Sequence, residues 1–162
     1  MNEEFLSNVF KKLEQSKYYI LNLKENLENA SKAENILLNL LNENKDSYLE
    51  TSTTKYLDFM NSLDYVITNN FYKFSKTIKW TKFPVSTICF YLQYLYLETK
   101  NMEKFYEYTK MGMAYAPLNL SHRFEFIESL KNSSQLKLFK DESMKLYSSI
   151  LMALGLSTCH FQ

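Results

Sequence analysis

The chain has 162 residues and a formal net charge of +1, and hydrophobic residues make up 46% of it. This length suits one domain, and the hydrophobic content is too high for a disordered segment. The near-neutral charge provides no global field of the kind that attracts a protein to nucleic acid. Only 2 Gly and 2 Pro occur, whereas a sheet protein of this size needs many turns rich in those residues. The composition therefore predicts an all-α fold.

The two cysteines and the N-terminal residues indicate the cellular compartment in which the protein resides. Cys89 and Cys159 are too few for a disulfide framework. The chain starts with an acidic segment where a secretory signal would be basic, and no apolar run follows it. The longest apolar stretches fall well short of a membrane span. We therefore expect a cytoplasmic protein with no membrane span.

The first segment, residues 3–29, carries apolar residues at heptad spacing, as in a narrow coiled-coil stripe. Ser31 to Glu34 matches a capping box that would start a second helix over 32–49. The alternative is one unbroken helix through residue 48, which would favour a homodimer. We favour the broken version, in which residues 1–50 form a hairpin that caps the rest of the chain. The stripe consists of Leu6, Leu13, Ile20 and Leu27, with Val9, Leu23 and Ala30 on the companion register and Ser16 as an interruption.

Residues 51–162 are predicted to form three helical hairpins, for a total of about eight helices in one structural domain. Pro84 and Pro117 precede the second and third hairpins, where proline ends one helix or starts the next. The predicted helices lie near 54–68 and 71–82, near 85–99 and 102–115, and near 120–131 and 135–153.

A shift of 31 residues aligns the first of these hairpins with the second. It superimposes Phe59 on Phe90 and Tyr65 on Tyr96, although a biased composition gives some such identities by chance. Periods of this size are typical of stacked helix pairs in which each pair completes the core of its neighbour. The pattern therefore favours a helical repeat.

Residues 86–119 resemble a known family. Their 34-residue length is that of a tetratricopeptide repeat, and the segment is similar to one without gaps. Leu92 and Tyr96 match the Leu and Tyr of its first helix, Gly112 matches a small-residue position, and Pro117 matches the closing proline. The departures are Cys89 at the Trp position, Gln93 at a small-residue position, Phe105 at the Ala position and Thr109 at the aromatic position of the second helix.

The resemblance implies a superhelix of stacked antiparallel hairpins, in which the first helix of each unit lines a concave face that binds a partner. An unrelated α–α repeat explains the pattern equally well. Helix 85–99 is apolar or aromatic almost all round, as in a helix buried on two sides. Tyrosines there could edge a peptide-binding groove or only pack between hairpins. The groove positions that the resemblance implies are Thr87, Phe90, Tyr94, Leu97 and Glu98.

Helix 71–82 is the second candidate surface. A basic surface with interleaved aromatic residues can bind an acidic peptide, a phosphorylated group, single-stranded nucleic acid or a membrane surface. The alternative, which we favour, is the second helix of a hairpin, which packs on both its mate and the next unit through two apolar faces while its lysines face water. The residues concerned are Lys73, Lys76, Lys79 and Lys82, with Tyr72, Trp80 and Phe83 among them.

Chemical groups at catalytic spacing are few. Cys159 and His160 form at most half of a zinc site, because zinc needs three or four ligands. Cys89 lies in an apolar helix with no basic neighbour to activate it. We therefore predict no enzyme activity, no cofactor and no metal. The expected function is binding of a protein or peptide, as an adaptor, regulator or toxin-neutralising partner. The alternatives are a structural subunit of a larger assembly, or nucleic-acid binding through Lys73–Lys82.

Overall fold

The computed structural model describes residues 3–26, 28–59, 62–71, 74–131 and 136–153. Helices account for 73% of it and strands for 6%, which confirms the all-α class. Within these ranges there are seven α-helices, where about eight were expected, and none is both long and apolar enough to cross a membrane. The elements are α1 (Glu3–Leu21), α2 (Glu28–Glu43), β1 (Thr54–Leu57), α3 (Ser62–Phe71), β2 (Thr77–Trp80), α4 (Val85–Glu98), α5 (Met102–Tyr115), α6 (Leu120–Lys131) and α7 (Leu136–Ala153).

Six of the helices pair in chain order, as α1 with α2, α4 with α5, and α6 with α7. Helix α4 also contacts both α1 and α2, and α6 contacts α5, so the three pairs lie side by side. The second and third pairs begin and end within one residue of the predicted bounds. The superhelix implied by the tetratricopeptide resemblance stays a prediction.

The N-terminal pair consists of two separate helices, as predicted, but the break lies earlier in the chain than predicted. Helix α2 begins at Glu28 because Asn26 Oδ1 accepts a hydrogen bond from the Glu28 N–H at 2.9 Å. The predicted start at residue 32, with Ser31 as cap, is therefore wrong. In α1 the residues Val9, Leu13, Ser16 and Ile20 are buried. Since α1 packs on α2 and α4, the apolar stripe is used within the chain; Leu27 lies outside the described residues.

The segment 54–82 departs most from expectation. Strand β1 pairs with β2 in parallel, from Thr54 opposite Thr77 to Leu57 opposite Trp80, and α3 is the crossover between them. The predicted helices over 54–68 and 71–82 are therefore wrong where the two strands lie, over Thr54–Leu57 and Thr77–Trp80. Thr, Tyr, Ile and Trp are strand-forming residues because β-branched and aromatic side chains fit a pleated surface. The shift of 31 residues therefore does not align two hairpins.

Phe83, which the candidate basic surface includes, is not exposed, in agreement with the alternative of a packed apolar face. Its side chain is fully buried and stacks on Tyr48, with ring centroids 5.7 Å apart. Thr81 Oγ1 accepts from the Phe83 N–H at 3.1 Å, which holds the chain as it enters α4. Phe83 therefore belongs to the core between the first two helix pairs.

The connection between α4 and α5 is a tight one. The Asn101 N–H donates to the Tyr96 carbonyl at 2.9 Å, and the Lys100 N–H donates to the Leu97 carbonyl at 3.1 Å. This pattern ends a helix through one left-handed residue, here Lys100 with φ of 59°. Asn101 Oδ1 then accepts from the Lys104 N–H and caps α5.

A buried polar contact joins α4 and α6 beside α5. His122 Nδ1 lies 2.8 Å from Gln93 Oε1, and both residues are fully buried. Burial lowers the pKa of His122 to about 4, so the ring is neutral at pH 7. Gly112 faces this ring, and a Cβ at position 112 would lie 2.2 Å from His122 Cε1. Only glycine therefore lets α5 and α6 approach so closely.

Candidate binding groove

A groove of about 600 Å³ lies where α1 and α4 meet the ends of the two strands. We call it the Asp58 groove. Its walls come from four parts of the chain: α1, the residues that follow β1, the end of β2 with the start of α4, and the α5–α6 connection. The lining residues are Leu6, Phe10, Asp58, Phe59, Trp80, Thr81, Lys82, Pro84, Ser86, Thr87 and Asn119.

Asp58 is held at the start of α4 by hydrogen bonds on both its backbone and its side chain. Its N–H donates to the Tyr115 carbonyl at 2.7 Å, and its Oδ2 accepts from the Ser86 N–H at 2.9 Å. Pro84, which precedes α4, provides no side-chain cap. The Asp58 carboxylate therefore caps α4 from a different part of the chain, where the helix dipole favours a negative charge.

Asp58 has hydrogen-bond donors beside it, but the described residues place no cation next to its carboxylate. Burial raises the pKa of Asp58, and the hydrogen bonds from Ser86 oppose that rise. Among the described residues no Lys, Arg or His comes within ion-pair distance of this carboxylate. Lys82 lines the same groove, but its side chain is exposed.

Aromatic rings form the apolar walls of the groove. Phe59 is buried and packs edge-on against Trp80, with ring centroids 5.7 Å apart at 89°. Trp80 remains 42% exposed and Phe10 remains 53% exposed. Two large aromatic side chains thus face an open concave surface that the described part of the chain leaves uncovered.

A smaller apolar pocket of about 180 Å³ lies further along the same two helices. We call it the Tyr94 pocket; it is lined by Lys17, Ile20, Leu21, Phe90, Tyr91 and Tyr94. Along α1, the Asp58 groove begins at Leu6 and the Tyr94 pocket ends at Leu21. At 1.5 Å per residue, the 15 steps from Leu6 to Leu21 span about 22 Å.

The structure divides the positions implied by the tetratricopeptide resemblance. Thr87 lines the Asp58 groove, and Phe90 and Tyr94 line the Tyr94 pocket. Leu97 is half-buried against the core and Glu98 is exposed, and neither lines either of the two pockets. Three of the five positions therefore face the space between α1 and α4.

The basic surface expected on a helix over 71–82 does not form as such, because β2 occupies part of that segment. Lys76 donates to Glu50 at 2.5 Å and to the Thr51 carbonyl at 2.7 Å. Lys79 is exposed on β2, while Trp80 turns to the Asp58 groove. Tyr72 and Lys73 lie outside the described residues.

The thiol of Cys89 and the possible metal ligands are the remaining groups that could take part in chemistry. Cys89 is fully buried, and burial raises the pKa of its thiol, which opposes formation of a reactive thiolate. Among the described residues no three His, Cys, Asp or Glu side chains are placed to hold a metal ion. Cys159 and His160 lie outside those residues.

Comparison with known proteins adds no relative: no family model matches the chain, and neither a curated protein nor a solved structure does.

Proposed function

We propose that this chain is a non-enzymatic module that binds a protein or peptide segment along α1 and α4. The observation that carries the proposal is the Asp58 groove, with Phe10 and Trp80 about half exposed on its walls. Aromatic side chains in a concave surface are typical anchors of binding sites, because they gain much contact area at a small entropic cost. An adaptor, a regulator and a toxin-neutralising protein would all use such a surface.

The dimensions support a short segment as the ligand. The span of about 22 Å along α1 would take roughly seven residues of an extended peptide, or about four turns of a helix. The Asp58 groove would hold the larger side chains of the segment. The Tyr94 pocket, whose lining is aliphatic and aromatic apart from Lys17, would hold a further apolar side chain.

Nucleic-acid binding through Lys73–Lys82 receives less support. Lys76 is paired with Glu50 rather than directed to solvent as part of a basic stripe. The remaining described lysines of that set, Lys79 and Lys82, lie on β2 and at the rim of the Asp58 groove. These positions do not form one helical face.

The proposal is tested by selecting a displayed library of random 12-residue peptides on the whole chain. Selected peptides are then titrated by calorimetry against the wild-type protein and Phe10→Ala. We expect Phe10→Ala to weaken binding at least tenfold, which corresponds to about 1.4 kcal/mol.

Phe124→Ala is the matched control, because Phe124 is a helical phenylalanine of similar exposure, 50% against 53%. It lies on α6 and lines neither the Asp58 groove nor the Tyr94 pocket. Equal losses in the two variants, or a library that yields no binder, would overturn the proposal.

A further inference from the structure

The Asp58 groove combines aromatic walls with a carboxylate that has no ion-pair partner among the described residues, and this combination specifies a ligand chemistry. Building on the proposed function, we infer that the bound segment carries one basic side chain, Lys or Arg, whose cationic group pairs with Asp58 while its aliphatic stem lies on Trp80 and Phe10.

The first support is the charge on Asp58. A carboxylate withdrawn from water is unfavourable unless hydrogen bonds and an opposite charge compensate for it. Ser86 supplies a hydrogen bond at 2.9 Å, and the start of α4 adds only the partial positive charge of the helix dipole. The described residues supply no cation within ion-pair distance. A cation from a partner would complete this site.

The second support is the set of rings in the same groove. The face of an aromatic ring attracts a cation, and tryptophan does so most strongly. Lys and Arg are also amphipathic, so their carbon stems cover apolar surface while the charged ends reach a polar group. Trp80 and Phe10 would thus contact the stem and Asp58 the charge, which makes a basic side chain a better fit than a wholly apolar one.

Lys82 makes the charge distribution of the groove asymmetric. Its exposed side chain lines the rim of the groove that holds Asp58, and among the described residues it forms no ion pair. A bound segment therefore meets a negative charge inside the groove and a positive charge at its rim. Complementary charges of this kind fix the register and orientation of a ligand more than they add affinity.

The test uses the peptides selected on the whole chain at pH 7.5. We expect Lys or Arg at one fixed position beside large apolar residues. Replacing that residue of the peptide by norleucine, which keeps the stem and removes the charge, should weaken binding to the wild-type protein at least tenfold. The same replacement should weaken binding to Asp58→Asn less than threefold, because the partner charge is already gone.

The variants isolate the charge. Asn at position 58 keeps an oxygen that can accept from the Ser86 N–H, so the cap of α4 is retained. Asp46→Asn, at an exposed aspartate of the 3₁₀ turn Lys45–Ser47, is the matched control and should behave as the wild-type protein. If Asp58→Asn does not fold, the salt dependence of wild-type binding decides: a lysine peptide should be salt-sensitive and its norleucine analogue should not.

Each outcome is decisive. Peptides that depend on Phe10 but carry no basic residue, or equal norleucine losses in both proteins, overturn this inference and leave the proposed function standing. Enrichment of acidic residues would assign the polar contact to Lys82 and also overturn it. A library without any binder overturns the inference together with the proposed function.

Discussion

The two sides of helix α4 differ in how completely the chain covers them. Toward α5 and α6, Gln93 and His122 are fully buried, and the space beside Gly112 would not admit a methyl group. Toward α1 and β2, the same helix borders the Asp58 groove with its half-exposed rings. Among the described residues, one side is buried and closely packed, whereas the other is left open. Changes on the closed side should therefore affect stability, and changes on the open side should affect binding.

The largest expected effect on the closed side comes from Gly112→Ala. The new Cβ would lie 2.2 Å from His122 Cε1, so the ring and α6 must shift. We expect a loss of about 3 kcal/mol in the free energy of unfolding, despite the better helix propensity of alanine. Urea unfolding measures it. In a His122→Ala background the same change should cost far less, and an equal cost in both backgrounds would contradict the contact.

Acid should destabilise the closed side through His122. Its pKa is about 4 in the folded chain against an ordinary 6.5, so below pH 6.5 the unfolded chain binds more protons. Stability from this group is complete above pH 6.5 and is lost as the pH falls toward 4. The loss is about 2 kcal/mol at pH 5 relative to pH 7.5.

Denaturant unfolding at several pH values measures this dependence. His122→Gln cannot titrate in this range, so its stability should change little between pH 7.5 and pH 5. A slope equal to that of the wild-type protein would assign the titration to another group.

The end of α4 offers a gain of stability instead. Lys100 has φ of 59°, a conformation that is costly for a residue with a Cβ and free for glycine. Lys100→Gly should therefore raise the free energy of unfolding by about 1 kcal/mol. Lys110→Gly, at an exposed position within α5, should lower it by a similar amount. The two substitutions are chemically identical, so a change of the same sign in both would refute the conformational explanation.

The smallest effect on stability is expected on the open side. Phe10 is 53% exposed, so Phe10→Ala removes a side chain that is only about half buried, and alanine has the better helix propensity. We expect a loss of roughly 0.5 kcal/mol, measured by urea unfolding. A loss as large as that of Gly112→Ala would mean that Phe10 supports the fold, and the contrast between the two sides would fail.

The sequence predicted the helical pairs well where local signals mark their ends. Asn101 ends one element and caps the next, and Pro84 and Pro117 separate the later pairs, so the bounds of α4 to α7 lie within one residue of expectation. The N-terminal break agrees with the prediction, but Asn26, rather than the predicted Ser31, accepts the hydrogen bond from the Glu28 N–H at the start of α2. Several Asn and Ser residues in one stretch can each cap a helix, and the sequence alone does not rank them.

The strands were missed because each is only four residues long. Their β-branched and aromatic residues, such as Thr77, Ile78 and Trp80, were the available signal, but aromatic and lysine residues also fit an amphipathic helix. Because the strands form part of the Asp58 groove, the sequence did not predict the groove either. Thr87 and Trp80 were candidates for two separate surfaces, and the fold brings them to one. Asp58, Phe10 and Phe59 were not candidates, because their common site depends on pairing between segments distant in the chain.

Trp80 is the single tryptophan of the chain, and it stands on the wall of the Asp58 groove. Excitation at a wavelength where tyrosine absorbs little would therefore produce fluorescence from this wall of the groove alone. Any molecule that covers the indole should move its emission to shorter wavelength, without a dye or a tag. The chain thus carries its own optical reporter at the place where we expect the partner.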